Sequence, residues 1–168
     1  TVNPSIRGPL SEICRQNSAT SSHNFGGSPI SQYGVFAKPF GYFGGGANLV
    51  PSTLSTVDRV DYSSDTSSAS VKGSLSSLRR YGTGTGNSNF GYFGGGTPGG
   101  ANLASVERID YSNDISQSSV RGPLSLPRIL FAAAGNSNFG YFGGGLATGS
   151  PGYVSTVDRI NYSNDAIT

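Results

Sequence analysis

The chain has 168 residues, and Gly (26) with Ser (28) supplies about a third of them, whereas only 12% are charged. A helical bundle or coiled coil is excluded, because such proteins draw roughly half of their residues from Ala, Glu, Lys, Leu and Arg. Nine Phe, nine Tyr and a net charge of only +2 separate the chain from disordered sequences, since it can bury apolar surface. The composition predicts a folded, turn-rich all-β protein.

The charged residues and the cysteine count limit the partners of the chain. Eleven Lys and Arg against nine Asp and Glu include no basic run able to neutralise several phosphates, so we expect no nucleic-acid binding. No apolar stretch approaches the roughly 20 residues of a membrane span, and we expect none. Cys14 cannot form an internal disulfide because it is the only cysteine. A start at Thr1 and the absence of Met indicate a processed or excerpted chain.

Three sequence elements recur along the chain with a period of about 50 residues. The first reads IRGPLSEIC, VKGSLSSLR and VRGPLSLPR, and it begins at Ile6, Val71 and Val120. The second, FGYFGGG, begins at Phe40, Phe90 and Phe139. The third is typified by STVDRVDYSSD, and its tyrosines are Tyr62, Tyr111 and Tyr162. These repeats predict one repeat domain, 1–168, with unit boundaries near 1–65, 66–114 and 115–168 and an insertion at 26–39.

The repeated elements predict short strands in every unit. In FGYFGGG, Phe40 and Tyr42 alternate with a glycine and Phe43, which indicates a central strand that ends in a tight bend at the glycines. The STVDRVDY strings are rich in β-branched residues and end in Ser-Ser-Asp or Ser-Asn-Asp turns, which predicts a second strand. Shorter strands are expected around Val120 and within 128–134. The sequence gives almost no support for helix.

A unit of about 50 residues, a Gly-Gly pair that ends an apolar strand and a later Tyr resemble the kelch repeat, in which each unit is one four-stranded blade of a β-propeller. The resemblance covers nearly the whole chain, and PLSLPR at 123–128 is similar to the Pro-rich, Arg-ending stretch of a kelch unit. The amino-acid sequences of the repeats, FGYFGGG followed by STVDRVDYSSD-like strings, are also similar to those of repeat proteins encoded by marine phages and cyanobacteria. The residues that carry the resemblance are Gly44, Gly45, Gly94, Gly95, Gly143, Gly144, Tyr62, Tyr111 and Tyr162.

This resemblance implies that three units do not form a closed propeller, because a propeller usually has four to eight blades and repeat units bury their faces against neighbouring units. Two alternatives supply the remaining blades: a second copy of the chain, or a longer tandem array of which these residues are a window. Residues 1–11 carry the sequence that should follow 165–168, so copies can join head to tail into a ring or a filament. The expected partners are copies of the chain itself.

Eight of the nine acidic residues lie in the third element, close to an Arg that recurs as Arg59, Arg108 and Arg159. A structural interpretation pairs each Arg with the flanking carboxylates and lets the last Asp of each string close a turn, at Asp65, Asp114 and Asp165. The alternatives are paired carboxylates for acid–base chemistry and a calcium site at each turn. We favour the structural interpretation because catalytic residues seldom recur in every unit, and because Asn161 replaces an Asp of the other two units.

We expect no catalytic centre, metal site or cofactor. One histidine, His23, and one cysteine, Cys14, cannot supply a metal-ligand set. Cys14 takes the place that Arg occupies in the other copies of the first element, which indicates a substitution and not a nucleophile paired with His23. The glycine-rich segments 82–86 and 94–100 lack the Lys-Ser/Thr ending of a phosphate loop. We predict that the chain is not an enzyme; a hydrolase on a propeller is the least supported alternative.

Residues that do not repeat are better candidates for a binding surface, because recognition generally uses variable loops on a repeated scaffold. The repeated aromatic residues of FGYFGGG are instead expected to fill the interface between units. The candidate binding residues are Tyr33, Phe36, Lys38, Asn48 and Tyr153.

These features predict a non-catalytic structural repeat protein, extracellular or on a virion surface, that assembles with copies of itself through strand completion. The alternative function is a glycan-binding propeller, an adhesin or lectin that binds surface glycans through the variable loops. Association in the absence of sugar favours the first function. Glycan binding that is lost when Tyr33 and Phe36 are replaced by Ala favours the second.

Overall fold

The computed structural model describes residues 18–21, 40–48, 52–64, 66–148 and 152–168. These residues form short strands joined by turns, with 3-10 turns at Tyr62–Ser64 and Tyr111–Asn113. The prediction of an all-β protein is confirmed. Within the same residues, no helix has the length and apolar character that crossing a membrane requires.

Antiparallel pairing joins the described strands, numbered along the chain, into three larger sheets and one pair. Sheet A contains, in spatial order, β1 (Ser18–Ser21), β2 (Phe40–Gly44), β3 (Val57–Asp61) and β4 (Ser70–Val71). Sheet B contains β5 (Thr83–Gly86), β6 (Phe90–Gly94), β7 (Ser105–Asp110) and β8 (Ser119–Pro123). Sheet C contains β10 (Ala132–Gly135), β11 (Phe139–Gly143) and β13 (Val157–Asn161). The separate pair is β9 (Arg128–Ile129) with β12 (Leu146–Ala147).

Each FGYFG string lies between two other strands of its sheet, as the alternation predicts. In sheet B, for example, β6 pairs with β5 on one side and with β7 on the other, where Tyr92 is opposite Arg108. The glycines then end the strand: Gly95 has a φ of +57°, and its amide donates to the carbonyl of Ser105. This left-handed conformation favours glycine, so the string can turn sharply without strain.

The apolar core lies between the sheets. At the A/B interface, where sheet A meets sheet B, the buried cluster is Tyr42, Val57, Leu75, Phe93, Ile109 and Tyr111. At the B/C interface the same places in the repeat are buried, namely Tyr92, Val106, Leu124, Phe142, Ile160 and Tyr162. In each cluster the first two residues come from one sheet, the leucine from the segment that links the sheets, and the last three from the next sheet and its turn. The repeated aromatic residues therefore hold neighbouring sheets together.

The sheets and the sequence repeat have different phases. The predicted unit boundaries near 65 and 114 fall between the third and fourth strands of sheets A and B, whereas the links between sheets are 72–82 and 124–131. The first strands lie side by side, β1 beside β5 and β5 beside β10. Successive sheets are thus close to one another along their first strands.

Candidate functional site

The A/B and B/C interfaces hold most of the repeated charged residues, and two buried arginines are central to them. Arg79, in the link after sheet A, donates to the carbonyl of Gly95 at 2.8 Å and forms an ion pair with Glu107, both in or beside sheet B. Arg128, in the link after sheet B, pairs with Asp158 of sheet C at 2.6 Å. All four charged side chains are almost completely buried. Because a buried charge is costly unless it is paired, each link is held against the next sheet.

Glu107 also accepts hydrogen bonds from the link that carries Arg79 and from Ser118, the residue before β8. The amides of Ser76 and Ser77 donate to it at 2.5 and 3.2 Å, and the Ser118 hydroxyl donates as well. Burial by itself raises the pKa of a carboxyl group, but the Arg79 charge and these hydrogen bonds outweigh it and hold the pKa of Glu107 below its usual range. Glu107 is therefore ionised at neutral pH.

A second charged group repeats at both interfaces and centres on an aspartate. Asp114 accepts from the Tyr42 hydroxyl at 2.9 Å and from Arg59 at 2.8 Å, while Lys72 lies 3.6 Å away. At the B/C interface, Asp165 has the corresponding partners, which are Tyr92 at 2.7 Å, Arg108 at 2.8 Å and Arg121 at 3.2 Å. Each cluster ties one sheet to the turn that follows the third strand of the next sheet.

These contacts correct the predicted pairing of the repeated arginines. Among the described residues, the ion pairs of Arg59 and Arg108 are with an aspartate of the next sheet, Asp114 and Asp165 respectively. Arg159 lies over the Phe139 ring at 4.9 Å and has no carboxylate partner among the described residues. The repeat correctly predicted that Arg59 and Arg108 form ion pairs with aspartates of the third element. The aspartate that pairs with each of these two arginines, however, belongs to the next copy of that element, about one repeat further along the chain.

The turns after the third strands are closed by other residues than predicted. Asp61, Asp110 and Asn161 accept from the backbone amides two positions on, at 2.9, 2.8 and 3.0 Å. Asp114 and Asp165 are interface acceptors, so the prediction that they close turns was wrong, and Asp65 lies outside the described residues. Asn161 fits the same role as its counterparts because an amide oxygen accepts this bond as a carboxylate does.

Because of three buried tyrosines, Tyr42, Tyr92 and Tyr162, the free energy of unfolding should decrease at alkaline pH. Burial raises the pKa of Tyr162 to about 12, and for Tyr42 and Tyr92 the hydrogen-bonded aspartates add to burial in raising the pKa. A raised pKa in the folded state means that stability is complete below the unfolded value of about 10 and is lost as the pH rises towards the folded value. Between pH 10 and the folded pKa, each tyrosine lowers the free energy of unfolding by about 1.4 kcal/mol per pH unit.

We therefore expect urea midpoints to fall steeply above about pH 10. Tyr92→Phe should reduce the slope of stability against pH by the contribution of one tyrosine hydroxyl. Tyr153→Phe, at an exposed position, should leave that slope unchanged. Phenolate absorbance measured in parallel should rise together with unfolding. Urea midpoints that are constant up to about pH 11 would show that these hydroxyls are not buried.

Glycines in the central strands provide space for the aromatic ring of the next sheet. A Cβ atom at Gly44 would lie 2.8 Å from the Phe93 ring, and one at Gly94 would lie 3.0 Å from the Phe142 ring. At Gly143, by contrast, the nearest atom would be a Val157 methyl at 3.6 Å, an ordinary contact.

Gly44→Ala is expected to lower the free energy of unfolding by about 1–3 kcal/mol, because the added methyl overpacks a closed interface. Gly143→Ala, the matched change at the open position, should change it by less than about 0.5 kcal/mol. Urea unfolding followed by far-UV circular dichroism at low protein concentration measures both. Equal effects of the two changes would contradict the assigned packing.

The predicted binding residues fall in different parts of the molecule. Tyr33, Phe36 and Lys38 lie outside the described residues. Asn48 is half-buried and accepts from the Ser52 amide, which gives it a role in its own loop. Tyr153 is 79% exposed and remains available for a partner. Near the equivalent turns of sheets B and C there is also a polar groove of about 500 Å³, lined by Asn87, Asn89, Phe90, Asn138, Phe139 and Asn161 among others.

The described residues contain no cluster of three or more His, Cys, Asp or Glu side chains placed to bind a metal ion. Cys14 and His23 are outside the described part of the chain. Sequence reasoning missed the buried pairs of Arg79 and Arg128, although a signal was present, because both arginines end the first repeated element and an acidic residue recurs at 58, 107 and 158.

The sequence matches no protein-family model and no curated protein. The geometry of the two interfaces is therefore the basis for assigning a function. It consists of side chains that join one sheet to the next through repeated ion pairs, hydrogen bonds and ring contacts.

Proposed function

We propose that this protein is a non-catalytic structural repeat protein that assembles with copies of itself, extracellularly or on a virion surface. The observation that carries the proposal is that the recurring residues make equivalent contacts between sheets at both interfaces. Arg79 and Arg128 pair with an acid of the next sheet, and Asp114 and Asp165 accept from a Tyr and an Arg of the preceding sheet. Residues that recur because they join sheets are typical of repeat architectures.

We further propose that the sheets are kelch-like blades of a β-propeller. The side-by-side first strands β1, β5 and β10 support this arrangement, because blades placed around an axis approach each other along one edge. A propeller has four to eight blades, so the sheets of one chain need others beside them. Copies of the same chain are the simplest source.

Backbone pairing at the end of sheet C supports strand completion between copies. Thr168 exchanges two backbone hydrogen bonds with Arg159, at 2.8 and 3.0 Å. Ser70 pairs with Arg59 and Ser119 with Arg108 in the same register, and both serines lead into the first repeated element. In a second copy, that element is supplied by residues 6–14. A head-to-tail neighbour can thus supply the fourth strand that sheets A and B have and sheet C lacks among the described residues.

Sedimentation velocity over a wide range of protein concentration tests this proposal. We expect species heavier than the 17.2 kDa chain, increasing with concentration and present without sugar or metal. Electron microscopy of the heavier fraction should then distinguish rings from filaments. A mass of one chain at every concentration would contradict self-assembly.

A second candidate function is glycan binding. The polar groove near the turns of sheets B and C favours it, because its asparagine amides suit sugar hydroxyls. The exposed Tyr153, which pairs with Leu146 at the other end of sheet C, offers a separate ring for stacking. Binding on a glycan array that is lost in Tyr153→Ala or Asn138→Ala, with wild-type stability, would support this function. No binding by the wild-type protein would exclude it for the glycans on the array.

A further inference from the structure

The outer face of sheet C carries the same residues that sheets A and B bury at their interfaces. Tyr42 and Tyr92 have no exposed surface, whereas Tyr141, in the same place of the repeat, is 36% exposed. Val57 and Val106 are completely buried, and their counterpart Val157 is 59% exposed. Identical residue types thus lie in closed interfaces in two sheets and in an open surface in the third.

The glycine of this face is also open. Gly44 lies under the Phe93 ring and Gly94 under the Phe142 ring, each ring being supplied by the next sheet. Gly143 occupies the same place in sheet C, and a Cβ atom there would contact only its own sheet. The surface at Gly143 therefore has the space that receives a Phe ring at the other two interfaces.

The outer face of sheet C also carries the arginine, Arg159, that corresponds to the paired arginines of sheets A and B. Arg59 and Arg108 each point to an aspartate of the next sheet at 2.8 Å. Arg159 is exposed and, in the part of the chain that the structure describes, contacts Phe139 without a carboxylate partner. A partner for this face should therefore bring an acidic group beside its aromatic residues.

Sheet A of a second copy fits these requirements. It carries Phe43 and Tyr62, which correspond in the repeat to Phe142 and Tyr162 of the B/C interface. Phe43 is half-buried and Tyr62 is 47% exposed, whereas Phe142 and Tyr162 are buried. In the sequence, Asp65 follows Tyr62 by the same three residues that separate Asp165 from Tyr162.

We propose that the acceptor face of sheet C, formed by Tyr141, Gly143, Val157 and Arg159, binds the donor face of sheet A in a second copy, formed by Phe43 and Tyr62. The contact repeats the B/C interface, with the Phe43 ring over Gly143 and the Tyr62 ring stacked on Tyr141, as Tyr162 stacks on Tyr92 at 5.1 Å. The inference rests on the proposed self-assembly and adds its surface and direction. Because the two faces differ, the association is head to tail.

Single-face variants test the proposal. Val157→Arg places a charge in the acceptor face, and Tyr62→Arg places one in the donor face. Each variant should weaken self-association at least about 100-fold in sedimentation velocity, since an unpaired charge would be buried. Val120→Arg is the matched control, because Val120 is a strand valine that is 57% exposed on sheet B; it should associate as the wild-type protein does. Thermal melting at low concentration checks that a single copy of each variant folds, and Val157→Arg and Val120→Arg, at positions more than half exposed, should melt as the wild-type protein does. The Tyr62 ring also lies beside Gly41 of its own sheet, so for Tyr62→Arg the mixture with Val157→Arg provides the test of the donor face.

Mixing the two variants tests the direction of the contact. Val157→Arg keeps an intact donor face, and Tyr62→Arg keeps an intact acceptor face. The mixture should therefore form heterodimers with one copy of each variant, and these should not add further copies because both remaining faces carry the new charge. Gly143→Ala provides a variant with little risk to folding, and it should also weaken association, because its methyl fills the space for Phe43.

The possible outcomes separate this inference from the proposed function. If the wild-type protein associates and Val157→Arg associates equally well, or if the mixture gives no dimer, the proposed faces are wrong while self-assembly stands. If the wild-type protein does not associate at any concentration, both proposals are overturned. Association lost in both variants and restored as a dimer in the mixture supports both.

Discussion

Arg79→Leu is expected to lower the free energy of unfolding by about 3–5 kcal/mol, since it leaves a buried carboxylate without its cation. Arg79 is 1% exposed, and its guanidinium donates to the carbonyls of Gly95 and Ser105 as well as to Glu107. The change therefore removes the charge partner of Glu107 and leaves backbone acceptors of sheet B without their donor. Urea unfolding followed by circular dichroism measures the loss.

Two further variants separate the ion pair from the packing around it. Arg79→Leu combined with Glu107→Leu should recover a large part of the loss, because an apolar pair carries no buried charge. Arg80→Leu, at the next position, should cost less than about 1 kcal/mol, since Arg80 is only partly buried and its ring contact is with the neighbouring Tyr81. If Arg79→Leu and Arg80→Leu had equal effects, the assigned role of the ion pair would be wrong.

The pH dependence of Arg79→Leu should be opposite to that of the wild-type protein. In the wild-type protein the pKa of Glu107 is lowered, so its contribution to stability is present above the unfolded value of about 4.3 and is lost as the pH falls through the folded value. Without the Arg79 charge, burial raises the pKa of Glu107 instead. The variant should then gain stability as the pH falls to about 4.3, a range in which Glu107 leaves wild-type stability unchanged, and the wild-type protein should lose the Glu107 contribution only below that value. Parallel curves would contradict this assignment.

Leu75→Ala is expected to lower the free energy of unfolding by about 2–5 kcal/mol, an effect close to that of Arg79→Leu. Leu75 lies in the segment that links sheets A and B, and it is buried in the cluster of the A/B interface with Tyr42 and Phe93. Removal of its side chain leaves a cavity between the two sheets, because the rings packed around it keep the spacing of the interface. The link is thus part of the core and not a passive connection.

Leu78 offers a matched control three residues further along the same link. Its side chain is 47% exposed, so Leu78→Ala, which deletes the same atoms, should cost less than about 1 kcal/mol. The B/C link provides an independent repeat of the comparison, with Leu124 buried and Leu126 exposed. The assigned packing fails if the two leucines of a link respond alike.

The strands and turns of this protein were predictable because they depend on local properties. Alternation around Tyr42 and the glycines after it predicted a central strand with a sharp bend, and the β-branched strings predicted the strands that end in turns. These patterns involve residues within a few positions of one another, where backbone geometry and side-chain alternation leave few options. The all-β class and the positions of the repeats followed from them.

The partners of the repeated charges were not predictable in the same way. In a sequence with a period of about 50 residues, an aspartate of the same unit and one of the next unit have the same neighbours, so nothing local distinguishes them as partners of Arg59. Only the packing of sheet A on sheet B placed Arg59 beside Asp114, 55 positions away, and left Arg159 in solvent. Strand positions are set along the chain, whereas ion pairs and buried faces are set by which sheet lies next to which.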